Sequence, residues 1–196
     1  MGEKSVQKRQ FIVEKARQVF ADKGFKNVTM KDIIEACEIS RGGLYLNFES
    51  TADVFRAVLE AESELEDSDQ EEFPEEASAS ELLMFFLKAQ KKEILRKKNS
   101  IAVATYEYFF EVKPSRKENL LRKQFSNGME ILTSLIESGV ENEEFYCEDP
   151  EGQARNIMYV LEGLKICAQT MGISESMVDR ELMYIMRGLV YEEEDV

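Results

Sequence analysis

Apolar residues recur along this chain at helical spacing, and capping residues punctuate them. In QKRQFIVEKARQVFADKGF, Ile12, Ala16, Val19 and Phe20 fall at i, i+4, i+7 and i+8, the stripe of an amphipathic helix. Gly24 followed by Phe25 reads as its stop, because glycine takes the left-handed conformation after a last turn and the apolar residue packs back. Thr29 opens a second helix, its hydroxyl over the free amides and Asp32 in the first turn. Glu38-Ile39-Ser40 interrupts that helix, and Ser40 caps a short third one containing Leu44, Tyr45 and Phe48. Two helices joined by a turn of about three residues, spanning about Thr29 to Phe48, form the helix-turn-helix layout.

Ser50 with Asp53 starts the next helix, carrying Val54, Val58 and Leu65. The acidic run EDSDQEEFPEEASAS follows, and its self-repulsion and its proline place the main internal connection near residues 66–79. The capping box Ser78 to Glu81 then leads into LLMFFLKAQKKEIL, apolar on almost every side, which predicts a helix buried on most faces; IAVATYEYFFEV reads the same way. Pro114 and the box Ser115 to Glu118 predict a helix to about Ser138, stopped by Gly139-Val140. Asp149-Pro150 caps a helix to Met171, ended by Gly172-Ile173, and Ser174 caps a last one through Tyr191 ahead of the solvated tail EEEDV. The fold class is therefore all-α, with about nine helices and no convincing strand.

The formal net charge of −14 argues at first against a nucleic-acid partner, since phosphate contacts need Lys and Arg. Its distribution reverses that reading. Residues 1–60 hold 10 basic and 9 acidic side chains, a net of +1, and the other 136 hold 15 and 30, a net of −15. A near-neutral N-terminal unit with basic groups on one side meets a duplex, while the acidic remainder sits away from it. No stretch is apolar enough to span a bilayer and no signal-peptide pattern opens the chain, so no membrane partner and a cytoplasmic location are expected. Cys37, Cys147 and Cys167 form no C-x-x-C pair and read as reduced, mostly buried thiols. Histidine is absent, and neither a phosphate loop, a nucleophile elbow nor a cysteine metal pattern appears, so neither an enzyme nor a metal or cofactor is expected.

From Phe11 to Leu59, the run GFKNVTMKDIIEACEISRGGLYLNFES closely resembles the N-terminal domain of TetR/AcrR-type transcriptional regulators. The Gly-Phe stop, the threonine before Asp-Ile, the Ser-x-Gly turn into the third helix and Tyr-x-x-Phe stand in order. A helix-turn-helix sets its second helix in the major groove with the N-terminal residues at the base edges, here Arg41, Gly42 and Gly43. Arg41 suits a bidentate contact with guanine. The glycines serve close approach to DNA or are simply tolerated in a first turn. The resemblance implies that Thr29, Tyr45 and Asn47 touch phosphates; a packed ring is the alternative for Tyr45. Glu49-Ser50-Thr51 lacks the lysine that the family often carries just past the serine. Lys31, with Lys8 and Arg9, is a candidate to replace that contact, or is merely solvated. Ile33, Ala36, Ile39, Leu44 and Phe48 are assigned to packing.

The expected division is a DNA-binding domain at 1–50 and, at 51–196, the helical effector-binding and dimerising bundle that the resemblance implies. Pairing is also argued from geometry, because two recognition helices about 34 to 36 Å apart reach successive major grooves. By resemblance the last two long helices build the homodimer interface, with Ile157, Leu161, Leu164, Ala168, Leu182, Ile185, Met186 and Leu189 as apolar candidates and Gly163 allowing close approach. Phe85, Tyr106, Phe109, Phe110, Met129 and Met158, with Met84 and Phe86, suit an adaptable apolar effector pocket; ordinary core is the alternative for each. Glu107 and Glu111 either face a cationic ligand or form an exposed stripe, and Arg96-Lys97-Lys98 fits a helix C-terminus. The function expected is a ligand-responsive repressor that binds a palindromic double-stranded DNA operator as a dimer and is released by a small, largely apolar effector. The alternative is a helical adaptor, or an activator, with weak or lost DNA binding.

Overall fold

A computed structural model describes residues 3–68, 77–96 and 98–189. Most of the expected connection at 66–79, the Leu65 side chain, Lys97, and the chain from 190 onward, with the expected end of the last helix at Tyr191, lie outside these residues. Among them the structure is all-α: α1 (Glu3–Lys23), α2 (Met30–Cys37), α3 (Arg41–Tyr45), α4 (Thr51–Ser68), α5 (Ala79–Ile94), α6 (Ala102–Val112), α7 (Leu120–Glu141), α8 (Pro150–Thr170) and α9 (Glu175–Arg187). No helix among the described residues is long and apolar enough to cross a membrane.

The helices fall into two compact units that interleave in sequence, one within 1–71 and 97–120, the other within 72–96 and 121–196. In the first, the predicted stripe of α1 buries Ile12, Ala16 and Phe20 completely, with Val13 beside them. Phe20 meets the Phe55 ring of α4 edge-on at 4.6 Å, and Tyr108 of α6 lies 5.2 Å from Phe25 and 5.3 Å from Phe55. Such ring pairs contribute about 0.5–1.5 kcal/mol each beyond area burial. Gly24 has φ +74°, the left-handed stop expected after α1, and Phe25 behind it is buried. Arg17 holds Glu62 of α4 through Nε and Nη2 at 2.6 and 2.9 Å. Glu107 and Glu111 of α6 are committed inside this unit: Glu107 accepts the Lys26 amide at 3.0 Å, and Glu111 pairs with the Lys26 ammonium at 3.8 Å.

The second unit packs α5, α7, α8 and α9 around Leu83, Leu132, Ile136, Phe145, Ile157, Leu161, Val178 and Ile185. Three predicted caps are present: Ser78 and Glu81 form the reciprocal box of α5, Asp149 accepts the Gly152 amide at 2.9 Å, and Ser174 accepts that of Met177 at 3.3 Å. The amides of Ala79 and Ser80 reach the Glu144 carboxylate at 3.1 and 2.9 Å, and these bonds, Ser80's foremost, hold its pKa below the usual value. Cys37 is buried, which raises its thiol pKa, while Cys147 and Cys167 are half-buried; all three are free.

Four expectations are corrected. Gly139 does not stop α7, which runs on to Glu141; the turn comes at Glu143, with φ +61°. Glycine stands at 139 because a Cβ there would lie 2.1 Å from the Phe145 ring. Ser115 and Glu118 do bond to one another, at 2.6 Å, but close a turn, and α7 starts at Leu120. α5 and α6 are not buried on most faces: each sends one stripe inward, leaving Met84 and Phe85 of α5 and Val103, Phe110 and Val112 of α6 exposed. Ala36 is exposed rather than packed, because Ile33 and Cys37 are the inward stripe of so short a helix as α2.

Candidate nucleic-acid interface

Local chemistry fixes the turn between α2 and α3. Thr29 and Asp32 form a capping box: the Asp32 amide reaches Thr29 Oγ1 at 3.3 Å, and the Asp32 carboxylate accepts the Thr29 amide at 2.7 Å and its hydroxyl at 2.5 Å. Lys23 adds a hydrogen bond at 2.5 Å, the leading reason that Asp32 titrates well below the usual carboxylate range. α2 ends where Glu38 enters the left-handed region at φ +52° and returns its amide to Ile34 and Glu35. Ser40 then accepts the Gly43 amide at 3.1 Å and starts α3.

Residues one turn apart lie above one another on a helix, so 41–48 sort into four rows. Leu44 and Phe48 form the core row, 0% and 1% exposed. Gly43 and Asn47 form a second row, turned toward α1. Asn47 Nδ2 donates to the Gly43 carbonyl at 3.0 Å, Arg9 Nη1 donates to the Asn47 carbonyl at 3.0 Å, and the Arg9 guanidinium lies 4.1 Å from the centre of the Phe48 ring. A Cβ on Gly43 would lie 3.0 Å from Lys8 Nζ and 3.3 Å from Ser40 Oγ, which places the exposed Lys8 side chain beside this row. The two remaining rows face outward. Arg41 stacks over the Tyr45 ring at 5.4 Å with both residues exposed, and Gly42, with open space where a Cβ would stand, lies one turn before Leu46.

The predicted residues therefore divide. Arg41, Gly42 and Tyr45 share the outward side of α3. Gly43 is buried and Asn47 half-buried, both engaged with α1 or within α3. Thr29 is exposed, with its hydroxyl proton already given to Asp32, and Lys31 is exposed and paired with Glu35 at 3.6 Å. Sequence reasoning missed Leu46, the tether made by Arg9, and the placement of Lys8 beside the first turn of α3. The Gly43–Lys8 relation carries no sequence signal, because its members stand 35 positions apart.

Comparison with known proteins agrees with this geometry. Residues 12–58 match the model of bacterial regulatory proteins of the tetR family, and residues 82–179 match that of the tetracyclin repressor-like C-terminal domain. The chain belongs to the TetR family of transcriptional regulators. Both models describe regulators rather than enzymes. The chain is 29% identical over 140 residues to YfiR, an uncharacterized HTH-type transcriptional regulator of Bacillus subtilis (strain 168), covering 71% of this chain and 68% of that one. A TetR-family regulator from Agrobacterium tumefaciens shares the fold with a TM-score of 0.73 at 15% identity, over 95% of this chain and 100% of that one. The fatty acid degradation regulator FadR from Bacillus halodurans does so at 0.71 and 20%, over 95% and 96%.

In this TetR-family chain the residues predicted for effector and dimer take several positions. Tyr106, Phe109 and Phe110 belong to α6 of the first unit; Phe109 packs on its core and Phe110 is 74% exposed. Phe85, Met129 and Met158 belong to the second unit, where Met158 is buried with its thioether against Gly128 and Met129 packs on the same core. None of the six lines the open cleft of about 420 Å3 at Glu49, Ser50, Asp53, Arg56 and Tyr108, nor that of about 650 Å3 at Tyr146, Asp149, Gln153 and Gly188. Of the dimer candidates, Ile157, Leu161, Leu164, Leu182, Ile185 and Leu189 are buried in the protomer's own core, and Ala168 and Met186 are half-buried against it. Leu164 and Leu182 keep 7% and 8% of their surface exposed, the other four 4% or less. The exposed apolar side chains of the same helices are Tyr159 and Ile166 of α8, on one face around Gly163, and Met177, Met183 and Tyr184 of α9.

Proposed function

We propose that this TetR-family regulator is a ligand-responsive repressor: it binds a palindromic operator as a homodimer, and a small, largely apolar effector releases it. The observation that carries this reading is α3 itself. Two of its rows are tied to the core and to α1, and the other two present an arginine, an unhindered glycine backbone and a tyrosine. A rigid helix with a bare, cationic face fits the major groove.

In this reading residues 1–50 read the operator and 51–196 bind effector and partner. Arg41 donates to a guanine, Gly42 lets the helix come close, and Tyr45, Lys31 and Lys8 meet phosphates. Thr29, Gly43 and Asn47 hold the reading helix in place through the caps and bonds described above. The dimer forms through the outward faces of α8 and α9, whose exposed Tyr159, Ile166, Met177 and Tyr184 support an apolar contact between copies. One structure of the same fold, TM-score 0.63 at 19% identity, is named a gamma-butyrolactone receptor, which fits an effector of that size and polarity. An operator-binding protein of this kind works in the cytoplasm.

The test is binding of the purified chain to the DNA flanking its own coding region, followed by anisotropy at several salt concentrations. We expect saturable, salt-sensitive binding by two chains per palindrome, and release by one or more members of a small-molecule panel. Binding no tighter to that fragment than to scrambled DNA would refute operator recognition, and a monomer at saturation would refute the dimer.

A further inference from the structure

Leu46 is 86% exposed, more than any other large hydrophobic side chain among the described residues. It caps α3 in helical conformation, at φ −71° and ψ −20°, and donates its amide to the Gly42 carbonyl at 3.1 Å. Helical side chains lean toward the N-terminus of their helix, so the isobutyl group extends over the turn that Gly42 leaves bare. A Cβ on Gly42 would meet nothing within 4 Å, so nothing within the protein requires glycine there. The outcome is an apolar knob with a clear flank, on the same outward side of α3 as Arg41 and Tyr45.

The surroundings decide what this knob meets. Arg41 on the adjoining row favours a polyanion, and the outward rows of α3 are the ones a major groove receives. In that groove thymine alone presents a methyl group, and apolar side chains read it by contact. We infer that Leu46 is a specificity-determining residue that packs on the C5-methyl of one thymine in each half-site, with Gly42 keeping the approach clear. The inference rests on the operator-binding reading above and adds a base to it: one row of α3 reads guanine through Arg41, and the next reads thymine through Leu46.

The experiment uses the full chain and a duplex enriched from a random library by repeated binding. Each thymine of the enriched half-site is then replaced in turn by deoxyuridine, which deletes only the methyl group, and Kd is measured at fixed salt for the wild type, Leu46→Ala and Arg41→Ala. At one thymine per half-site the wild-type Kd should rise about fourfold, the worth of one buried methyl-sized group. Leu46→Ala should bind both duplexes within twofold of each other, whereas Arg41→Ala should keep the methyl sensitivity. Leu46 is nearly all in solvent, so its variant should melt like the wild type. An enriched sequence in which no deoxyuridine replacement matters, or in which Leu46→Ala remains as sensitive as the wild type, overturns this assignment and leaves operator binding standing. No enrichment at all overturns operator binding and the assignment together.

Discussion

Arg9 and Lys8 stand side by side in α1 and do different work. Arg9 spends its guanidinium on the Asn47 carbonyl and the Phe48 ring, so Arg9→Ala should lower stability by about 1–2 kcal/mol, measured by urea unfolding. Lys8→Ala should leave stability nearly unchanged, weaken binding alike on all sequences, and reduce the slope of log Kd against log salt by about one. Arg41→Ala should cost about 1–3 kcal/mol of binding and relax preference at one base of each half-site, seen by comparing all four bases at that position. An unchanged profile would remove Arg41 from base reading. The outward placement of Arg41 is legible in the sequence, because it stands just after the cap that starts α3. Leu46 is not, since an isolated leucine near a helix end reads as core until its exposure is known.

The short elements owe their boundaries to caps, and their sensitivity follows. Ser40→Ala removes the oxygen that accepts the Gly43 amide and should cost about 1 kcal/mol of stability, with a larger loss of DNA binding as α3 frays. Asp32 has its folded pKa lowered by Lys23 and Thr29, so its stabilisation is present above the unfolded value near 4 and is lost as pH falls through the folded value. Urea unfolding from pH 7 to pH 3 should therefore show the wild type losing its advantage over Asp32→Asn at the acid end; a constant difference would show that Asp32 acts without its charge. Gly139→Ala, by pressing on the Phe145 ring, should destabilise by about 1–3 kcal/mol. The same glycine shows why boundaries of long helices are less legible: glycine serves a stop and a close packing contact equally well. Only the partner at Phe145, across the loop after α7, distinguishes them.

At the scale of the molecule, the charge lies unevenly along the chain: the first 60 residues are near neutral and the rest strongly acidic. That arrangement favours duplex contact through the N-terminal helices and repels DNA elsewhere. Dimerisation is expected through outward side chains, not through those that fill the core. Met177→Glu with Tyr184→Glu, both more than half exposed, should leave the fold intact and yield monomers by sedimentation velocity, with weaker binding to a palindrome. Persistence of the dimer would move the interface off α9. Periodicity identified α8 and α9 as amphipathic, and most residues of the stripe pack in the chain's own core; spacing alone does not say this, because an apolar stripe looks the same whether it faces that core or a second copy.

The sequence by itself determined what depends on near neighbours: helix stripes, serine, threonine and aspartate caps, the left-handed stop at Gly24, and the order of motifs that marks the DNA-reading unit. These are local because a cap or a stripe spans only a few residues. Tertiary structure alone decided which rows of α3 are free, that Arg9 is a tether, that Lys8 lies beside Gly43, that Gly139 yields to Phe145, and which apolar residues of α8 and α9 stay outside. Each of those depends on what packs against a side chain from elsewhere in the chain, and spacing within one helix carries no record of it.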